Sequence, residues 1–293
     1  MTKFEGSGAP QPGTLYVCAT PIGNMEDITL RVLRVLKEAD LIAAEDTRHS
    51  RGLLARHGIK TPLVSYHEHN ERRRAEELIT YLLAGRNVAL VSDAGLPGIS
   101  DPGAVIIRAA RAARINVDVL PGPSAGLTAL VLSGLPAERF LFLGFLPAAG
   151  AARRRELQNL AALPYTLVFY EAPHRLAAVL SDMADCWPER RAAVARELTK
   201  LHQELCAGTV AELAERFAGQ PPRGECCLLV APPETAPPLP AAEEIIARLE
   251  ELAAAGLSIR EAKALVAEDY GLSKREIYRL WLENRGEIKD EGG

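Results

Sequence analysis

The apolar positions of this chain follow two alternating periods. From Thr14 onward, short runs rich in β-branched residues occur at 14–20 (TLYVCAT), 40–45 (DLIAAE), 62–67 (PLVSYH), 88–92 (VALVS) and 116–120 (NVDVL). Between them, apolar residues recur every three to four positions, the spacing that puts them on one face of a helix. Within 27–39, Leu30, Leu33 and Leu36 share one face while Arg31, Arg34 and Lys37 share another, as in a helix laid on a sheet. Helices are predicted over 27–39, 48–57, 70–84 and 103–114, and alternation of this kind specifies an α/β domain over 14–123.

A second series follows. Strands are predicted at 139–145, 165–170, 191–197, 202–207 and 225–231, with helices at 124–133, 150–161, 173–186 and 209–218, giving a second α/β domain over 124–233. Residues 234–240 are dominated by proline and read as a semi-rigid linker. Beyond it, 241–293 reads as a small all-α unit. A helix spans 243–255, Ser258 with Glu261 forms a capping box that opens a second, and Ser273 with Glu276 forms another that opens a third. Ile277, Leu280 and Trp281 share one face of that last helix, and the turn at 269–272 makes the unit helix-turn-helix-like. Residues 1–13 lack the apolar run of a signal peptide and read as a loose leader.

Composition narrows the class. With 293 residues, 48% of them hydrophobic, the chain can bury more than one core. No stretch approaches the roughly 20 apolar residues of a spanning helix, so no membrane partner is expected. Five cysteines without a CxxC pair suit reduced thiols in the cytoplasm, and no metal site is expected. The net charge of −4 is uneven: residues 241–293 alone carry −4, whereas 47–74 and 108–155 each hold 7 basic and 2 acidic residues, a net of +5. Two basic segments are thus hidden in a mildly acidic total. Clustered guanidiniums of this kind neutralise backbone phosphates, although a solvated helix face is the commoner use of a charge run.

Candidate chemistry lies after the strands, where α/β sheets bind ligands. Thr20 to Asn24 (TPIGN) follows the first strand, Glu45 to Arg48 (EDTR) the second and Tyr66 to Asn70 (YHEHN) the third. Ser92 to Gly103 (SDAGLPGISDPG) follows the fourth and is too rich in glycine and proline for a plain connection. Glycines there let backbone approach a small polar ligand, and prolines keep the loop rigid. The spacing matches neither a dinucleotide fingerprint nor a P-loop. PGPSA at 121–125 sets a hydroxyl where the next helix should be capped, and YEAPHR at 170–175 ends a later strand.

Taken together and in order, TPIGN, AEDTR, SYHEHN, VSDAGLPGISDPG, PGPSA and YEAPHR resemble the small-subunit ribosomal RNA methyltransferases of the tetrapyrrole methylase superfamily. The resemblance covers 14–234. It implies a class III methyltransferase of two α/β domains with S-adenosylmethionine in the cleft between them. It places the cofactor against Pro21, Ile22, Asp93, Ala94, Gly95, Ile99, Ser124, Ala125, Tyr170, Glu171 and Leu198. It also implies 2′-O-methylation of a cytidine ribose in the decoding region of 16S rRNA, within the 30S subunit, by a homodimer.

Such a transfer must align the acceptor hydroxyl with the S–CH₃ bond and take up its proton. Glu45, Asp46, His67, His174 and Lys200 stand at strand ends, and Asp46 and His174 are the favoured bases, with helix capping the competing role for Asp46. Arg48, Arg51, Arg153, Arg154, Arg175, Lys274 and Arg275 are the RNA-binding candidates. His67 and His69 lack a third ligand at suitable spacing, so they suit substrate contacts or plain hydrogen bonds better than a metal. Two rival readings are a precorrin-type C-methyltransferase and a cofactor-sensing nucleic-acid-binding regulator. The basic clusters and the helical tail oppose the first, and the many functional loops oppose the second.

Overall fold

The computed structural model describes residues 11–219, 222, 224–234, 242–270, 272 and 274–284, without the side chains of 268, 274, 275, 283 and 284. It divides into two compact units, Met1–Ala161 with Tyr165–Pro232, and Ala162–Pro164 with Pro233–Gly293.

The larger unit holds two five-stranded sheets. The first contains β1 (Thr14–Cys18), β2 (Leu41–Ala44), β3 (Leu63–Ser65), β4 (Val88–Val91) and β5 (Asn116–Leu120) in the order β3-β2-β4-β1-β5. Every pairing in it is parallel. Parallel strands need crossovers, here α1 (Leu30–Glu38), α2 (Thr47–Arg56), α3 (Glu71–Leu83) and α4 (Ala104–Ala112). Successive strand residues point to opposite faces, so Cys18, Ala89 and Val91 pack with Val32, Leu36 and Leu53 of α1 and α2. Leu15, Val17 and Leu90 pack with Leu78, Leu82 and Ile106 of α3 and α4. Both faces are therefore dry. Truncating a fully buried side chain such as Leu36 to alanine should cost about 2–5 kcal/mol.

The helix expected from residue 27 begins at Leu30. Asn24 accepts from the Glu26 N–H and opens a short 3₁₀ turn, Met25–Asp27, which displaces the α-helical start until Thr29 caps it through the Val32 N–H. A polar pair of caps thus outcompetes the apolar period.

After β5, α5 (Ala125–Ser133) packs against the second sheet. That sheet contains β6 (Phe140–Phe145), β7 (Thr166–Glu171), β8 (Arg191–Arg196), β9 (Glu204–Thr209) and β10 (Cys226–Val230), ordered β6-β7-β10-β8-β9. Only β6 and β7 run parallel; β10 enters antiparallel between β7 and β8, and β9 is antiparallel to β8. The helices α6 (Gly150–Leu160), α7 (Pro173–Cys186) and α8 (Val210–Arg216) complete the unit, and α8 opens with a full capping box between Thr209 and Glu212.

The smaller unit consists of α9 (Ala242–Ala254), α10 (Ile259–Asp269) and α11 (Lys274–Asn284) around Ile245, Leu249, Ala262, Val266 and Ile277. Ser258 and Glu261 form the expected reciprocal cap, and Leu280 and Trp281 pack beside Ile277. The Lys263 ammonium lies 4.0 Å from the Tyr278 ring centroid and 4.8 Å from that of Trp281. Residues 1–10, most of the proline-rich stretch and Ser273 lie outside the described residues. No described helix is long and apolar enough to cross a membrane.

Candidate active site

Strands β1 and β4 are neighbours whose chains leave in opposite directions, β1 toward β2 and β4 toward β5. A crevice must open between the two departing loops. The structure fastens them with a two-way bridge, Thr20 N–H to Gly95 O at 2.8 Å and Gly95 N–H to Thr20 O at 3.0 Å, and the Thr20 hydroxyl donates to Ser92 O at 3.0 Å. Gly95 and Gly98 adopt φ of +78° and +85°, which side chains rarely tolerate. Ser100, next to Asp101, adopts +62° without being glycine, a strained turn.

These loops wall a cavity of about 390 Å³. Of the expected cofactor residues, Ile22, Asp93, Ala94, Gly95, Ile99, Ser124, Ala125, Tyr170, Glu171 and Leu198 line it, while Pro21 lines a second cavity alongside. The other lining groups include Glu45, Asp101, Phe145, Glu225, Cys226 and Cys227. Among the described residues, five carboxylates, those of Glu45, Asp93, Asp101, Glu171 and Glu225, line this space and no lysine, arginine or histidine does. Such a cavity favours a cationic ligand over an anionic one. Burial, reinforced by the neighbouring charge of Glu45, pushes the Asp101 carboxyl up to about 7, and burial also raises Glu45. The Cys226 and Cys227 thiols are pushed by burial to about 11 and about 12, so they form an apolar wall and not nucleophiles.

Glu171 is only 3% exposed. Its Oε1 accepts from the Ala172 N–H at 2.9 Å and pairs with Arg175 Nε at 3.2 Å, whereas Oε2 has no protein partner. A buried carboxylate oxygen left open at a ligand cavity marks a place for a ligand donor. Nearby, Ser124 stands at the N-cap of α5 but makes no capping bond; the Tyr170 hydroxyl accepts the Gly126 N–H at 3.2 Å instead. That leaves the Ser124 hydroxyl available to the cavity.

The loop after β1 also meets the loop after β8. A Cβ on Gly23 would lie 2.7 Å from Leu198 O and 2.6 Å from Lys200 Cγ, closer than real contacts allow. Asn24 N–H donates to Thr199 Oγ1 at 3.0 Å. Glu197 and Thr199 hold φ of +51° and +64°, and their turn is braced by Thr199 N–H to Gln203 Oε1 and by Lys200 Nζ to Glu197 Oε1. Beside this contact lies the second cavity, about 320 Å³, lined by Thr20, Pro21, Gly23, Met25, His49, Ser50, Leu53 and Lys200 among others. It shares Ile22, Asp93, Ala94 and Glu225 with the first.

Several expected residues are committed elsewhere. Asp46 caps α2, accepting from Arg48 N–H at 2.8 Å, and pairs with the Arg48 guanidinium at 2.7 Å. The Arg48 side-chain hydrogen bond holds its carboxyl well below the usual carboxylate range, which makes it a poor base, and it lines neither cavity. His174 is exposed on the first turn of α7, one residue beyond the cavity wall. His67 Nε2 lies 3.1 Å from the Asn70 amide, and its ring is edge-on to His69, away from both cavities.

Among the basic candidates, Arg48 and Arg51 are exposed on α2. Arg153 is not available to phosphate: it is 7% exposed, its Nε donates to Asp182 at 2.7 Å and its other arm reaches the carbonyls of Pro147 and Ala148. Arg175 is likewise taken by Glu171 and Leu146 O. Arg154 pairs with Asp182 but keeps half its side chain in solvent. The side chains of Lys274 and Arg275 lie outside the described residues. Sequence reasoning missed His49, Asp101 and Glu225; Asp101 sits inside a quoted motif and His49 directly follows one, but Glu225 carries no local signal.

The family profile of tetrapyrrole (corrin/porphyrin) methylases matches residues 14–214. The chain is 48% identical to ribosomal RNA small subunit methyltransferase I of Pseudomonas aeruginosa, over 94% of this chain and 98% of that protein. It is 44% identical to the protein of the same name from Mesorhizobium japonicum, over 99% and 97%. Among solved structures it is similar to uroporphyrin-III-C-methyltransferase of Thermus thermophilus, with 25% identity and a TM-score of 0.55 over 75% of this chain and 94% of that one. Diphthine synthase gives 0.58 at 14% identity over 75% and 90%. Those folds leave a quarter of this chain unmatched, whereas the ribosomal RNA enzymes span nearly all of it. By this full-length likeness and by the loops that build its cavity, the chain belongs to the tetrapyrrole methylase family, among the ribosomal RNA small subunit methyltransferases I.

Proposed function

We propose that this S-adenosylmethionine-dependent ribosomal RNA methyltransferase methylates the ribose 2′-hydroxyl of a cytidine in the decoding region of 16S rRNA, acting on the 30S subunit. The observation that carries the cofactor assignment is the cavity lined by five carboxylates and, among the described residues, by no basic side chain. Bound there, S-adenosylmethionine would supply an electrophilic methyl group on a cationic sulfur. Its sulfonium, ammonium, adenine amine and ribose hydroxyls are all cationic or donating, which suits the open Oε2 of Glu171 and the carboxylates around it. Ile22, Leu198, Cys226 and Cys227 supply apolar walls that exclude water from the sulfonium. The substrate reading is supported by the full-length relatives and by exposed Arg48 and Arg51.

The protein acts as a homodimer in this reading. Helix α5 is apolar nearly all round; it buries Ala129 and Leu130 yet exposes Leu127, Val131 and Leu132, the middle one at 79%. A bare apolar face of this kind suits a second copy. It also begins at Ser124 and Ala125, so pairing there would brace the cavity wall.

The test incubates the protein with labelled S-adenosylmethionine and 30S subunits lacking the modification, then maps the label by nuclease digestion and mass spectrometry. Label on a cytidine 2′-oxygen of 16S rRNA is the expected result. Label on a base, on a tetrapyrrole alone, or nowhere overturns the reading. Light scattering reports the dimer, which Val131→Asp should convert to monomer.

A further inference from the structure

The second cavity adjoins the one assigned to the methyl donor and extends beyond it to Met25, His49, Ser50, Leu53 and Lys200. At about 320 Å³ it lies within the roughly 300–1,000 Å³ of small-ligand sites, and it abuts the first across Ile22, Asp93, Ala94 and Glu225. Its lining differs in character: His49 and Lys200 are the only basic side chains at either cavity among the described residues. Lys200 Nζ is held 2.9 Å from Glu197 and 3.6 Å from Glu225 by the turn whose two left-handed residues were described above. Backbone strain of this kind persists where surrounding contacts over-determine it, commonly at functional sites. Those contacts are present here, since Gly23 leaves no room for even a methyl group against Leu198 and Lys200.

His49 occupies the first turn of α2, with its backbone tied to the Asp46 cap and exposed Arg48 and Arg51 beside it. One helix therefore carries two exposed guanidiniums and, between them, an imidazole that lines this cavity. The other charged groups facing this space are Asp93, Glu225 and Lys200.

We propose that the second cavity receives the acceptor nucleoside, unstacked from its RNA, and that His49 is the catalytic residue that takes its hydroxyl proton. This rests on the methyl-transfer reading above. The 2′-oxygen, entering past Ile22 and Ala94, gains the methyl carbon as the S–CH₃ bond breaks; the bonding pair stays on sulfur. The hydroxyl proton passes to the imidazole and from there to solvent, which His49 reaches because it is exposed. Lys200 acts as a positioning residue, its ammonium held by two carboxylates so that a remaining N–H can meet the nucleoside.

Two measurements test this with the full-length protein. Met25, half-buried on the cavity wall, is replaced by p-benzoylphenylalanine, and the protein is photolysed on unmodified 30S subunits in the presence of sinefungin. A cross-link at the nucleotide that the wild-type protein methylates is expected; a cross-link elsewhere or none overturns the cavity assignment. His49→Gln should lower kcat by roughly 10²-fold or more at saturating methyl donor and remove the fall in rate at low pH that an imidazole base produces, with donor affinity unchanged. A kcat within threefold of wild type, or an unchanged pH profile, overturns the base. Failure of the wild-type protein to methylate 16S rRNA would instead defeat the underlying reading.

Discussion

The amide of Asn24 donates to the hydroxyl of Thr199 at 3.0 Å, joining the loop after the first strand to the loop after the eighth. The two loops follow strands of different sheets, so this bond and the close fit of Gly23 beside it bear on how the cavity walls face each other. Gly23→Ala would force a methyl group into backbone at 2.7 Å. Overpacking of that kind costs typically about 1–3 kcal/mol. We expect a lower Tm and a tenfold or greater loss of affinity for S-adenosylmethionine, measured by calorimetry. Unchanged affinity would show that the contact does not shape the cavity.

Glu171→Gln keeps the size of the side chain but replaces an open carboxylate oxygen with an amide. Hydrogen bonds to charged groups contribute about 1.5–3 kcal/mol, so donor affinity should fall roughly 10- to 100-fold. Part of any Tm loss will come from Arg175, which loses its charged partner. Equilibrium binding of sinefungin separates the two effects.

The pH dependence follows from Asp101. Its carboxyl is raised to about 7 in the folded protein from 3.8, so between those values the folded chain holds a proton that the unfolded chain has released. Stability from this group is thus highest at low pH and declines as pH rises toward and past 7. A cationic ligand favours the ionised carboxylate, so sinefungin affinity should increase with pH through about 7, with proton release visible as a buffer-dependent binding enthalpy. Asp101→Asn should flatten that increase. A flat wild-type profile would exclude the carboxylate from the binding site.

Arg153 and Arg51 should behave oppositely. Removing one partner of a buried ion pair costs about 3–5 kcal/mol, less here because Arg154 also meets Asp182, so Arg153→Ala should lower Tm by several degrees. Arg51→Glu should leave Tm unchanged, weaken 30S binding and reduce the slope of log affinity against log salt by about one. Equal effects of the two on the salt slope would contradict the assignment of Arg153 to the interior.

These contrasts mark what a linear reading can reach. Period and punctuation located every strand and helix of both sheets, because each period reflects a local choice between burying one face or two. Strand order was not legible: nothing in CCLLV says that β10 enters antiparallel between β7 and β8. The loops at 20–24 and 92–103 announced themselves through glycine and proline, yet Glu225 enters the same cavity from a strand end with no such mark. Arg153, Arg154 and Arg155 look equivalent in sequence. A helix turns about 100° per residue, which sends the first inward to an aspartate 29 residues away and leaves the second half in solvent. For the same reason Asp46 combined two readings, and capping prevailed because its own helix begins at the next residue.

Five carboxylates lining one cavity would also act on turnover. A methyl donor bound there would change from a sulfonium cation to a neutral thioether on transfer, while the carboxylates lining the cavity keep their places. The spent molecule should then be held less tightly than the fresh one, so that the reaction would loosen its own by-product. S-adenosylhomocysteine should accordingly bind more weakly than sinefungin, whose amine keeps the charge, and the gap should narrow when Glu171 or Asp93 is neutralised. The acidity that admits the donor would then also time its exchange.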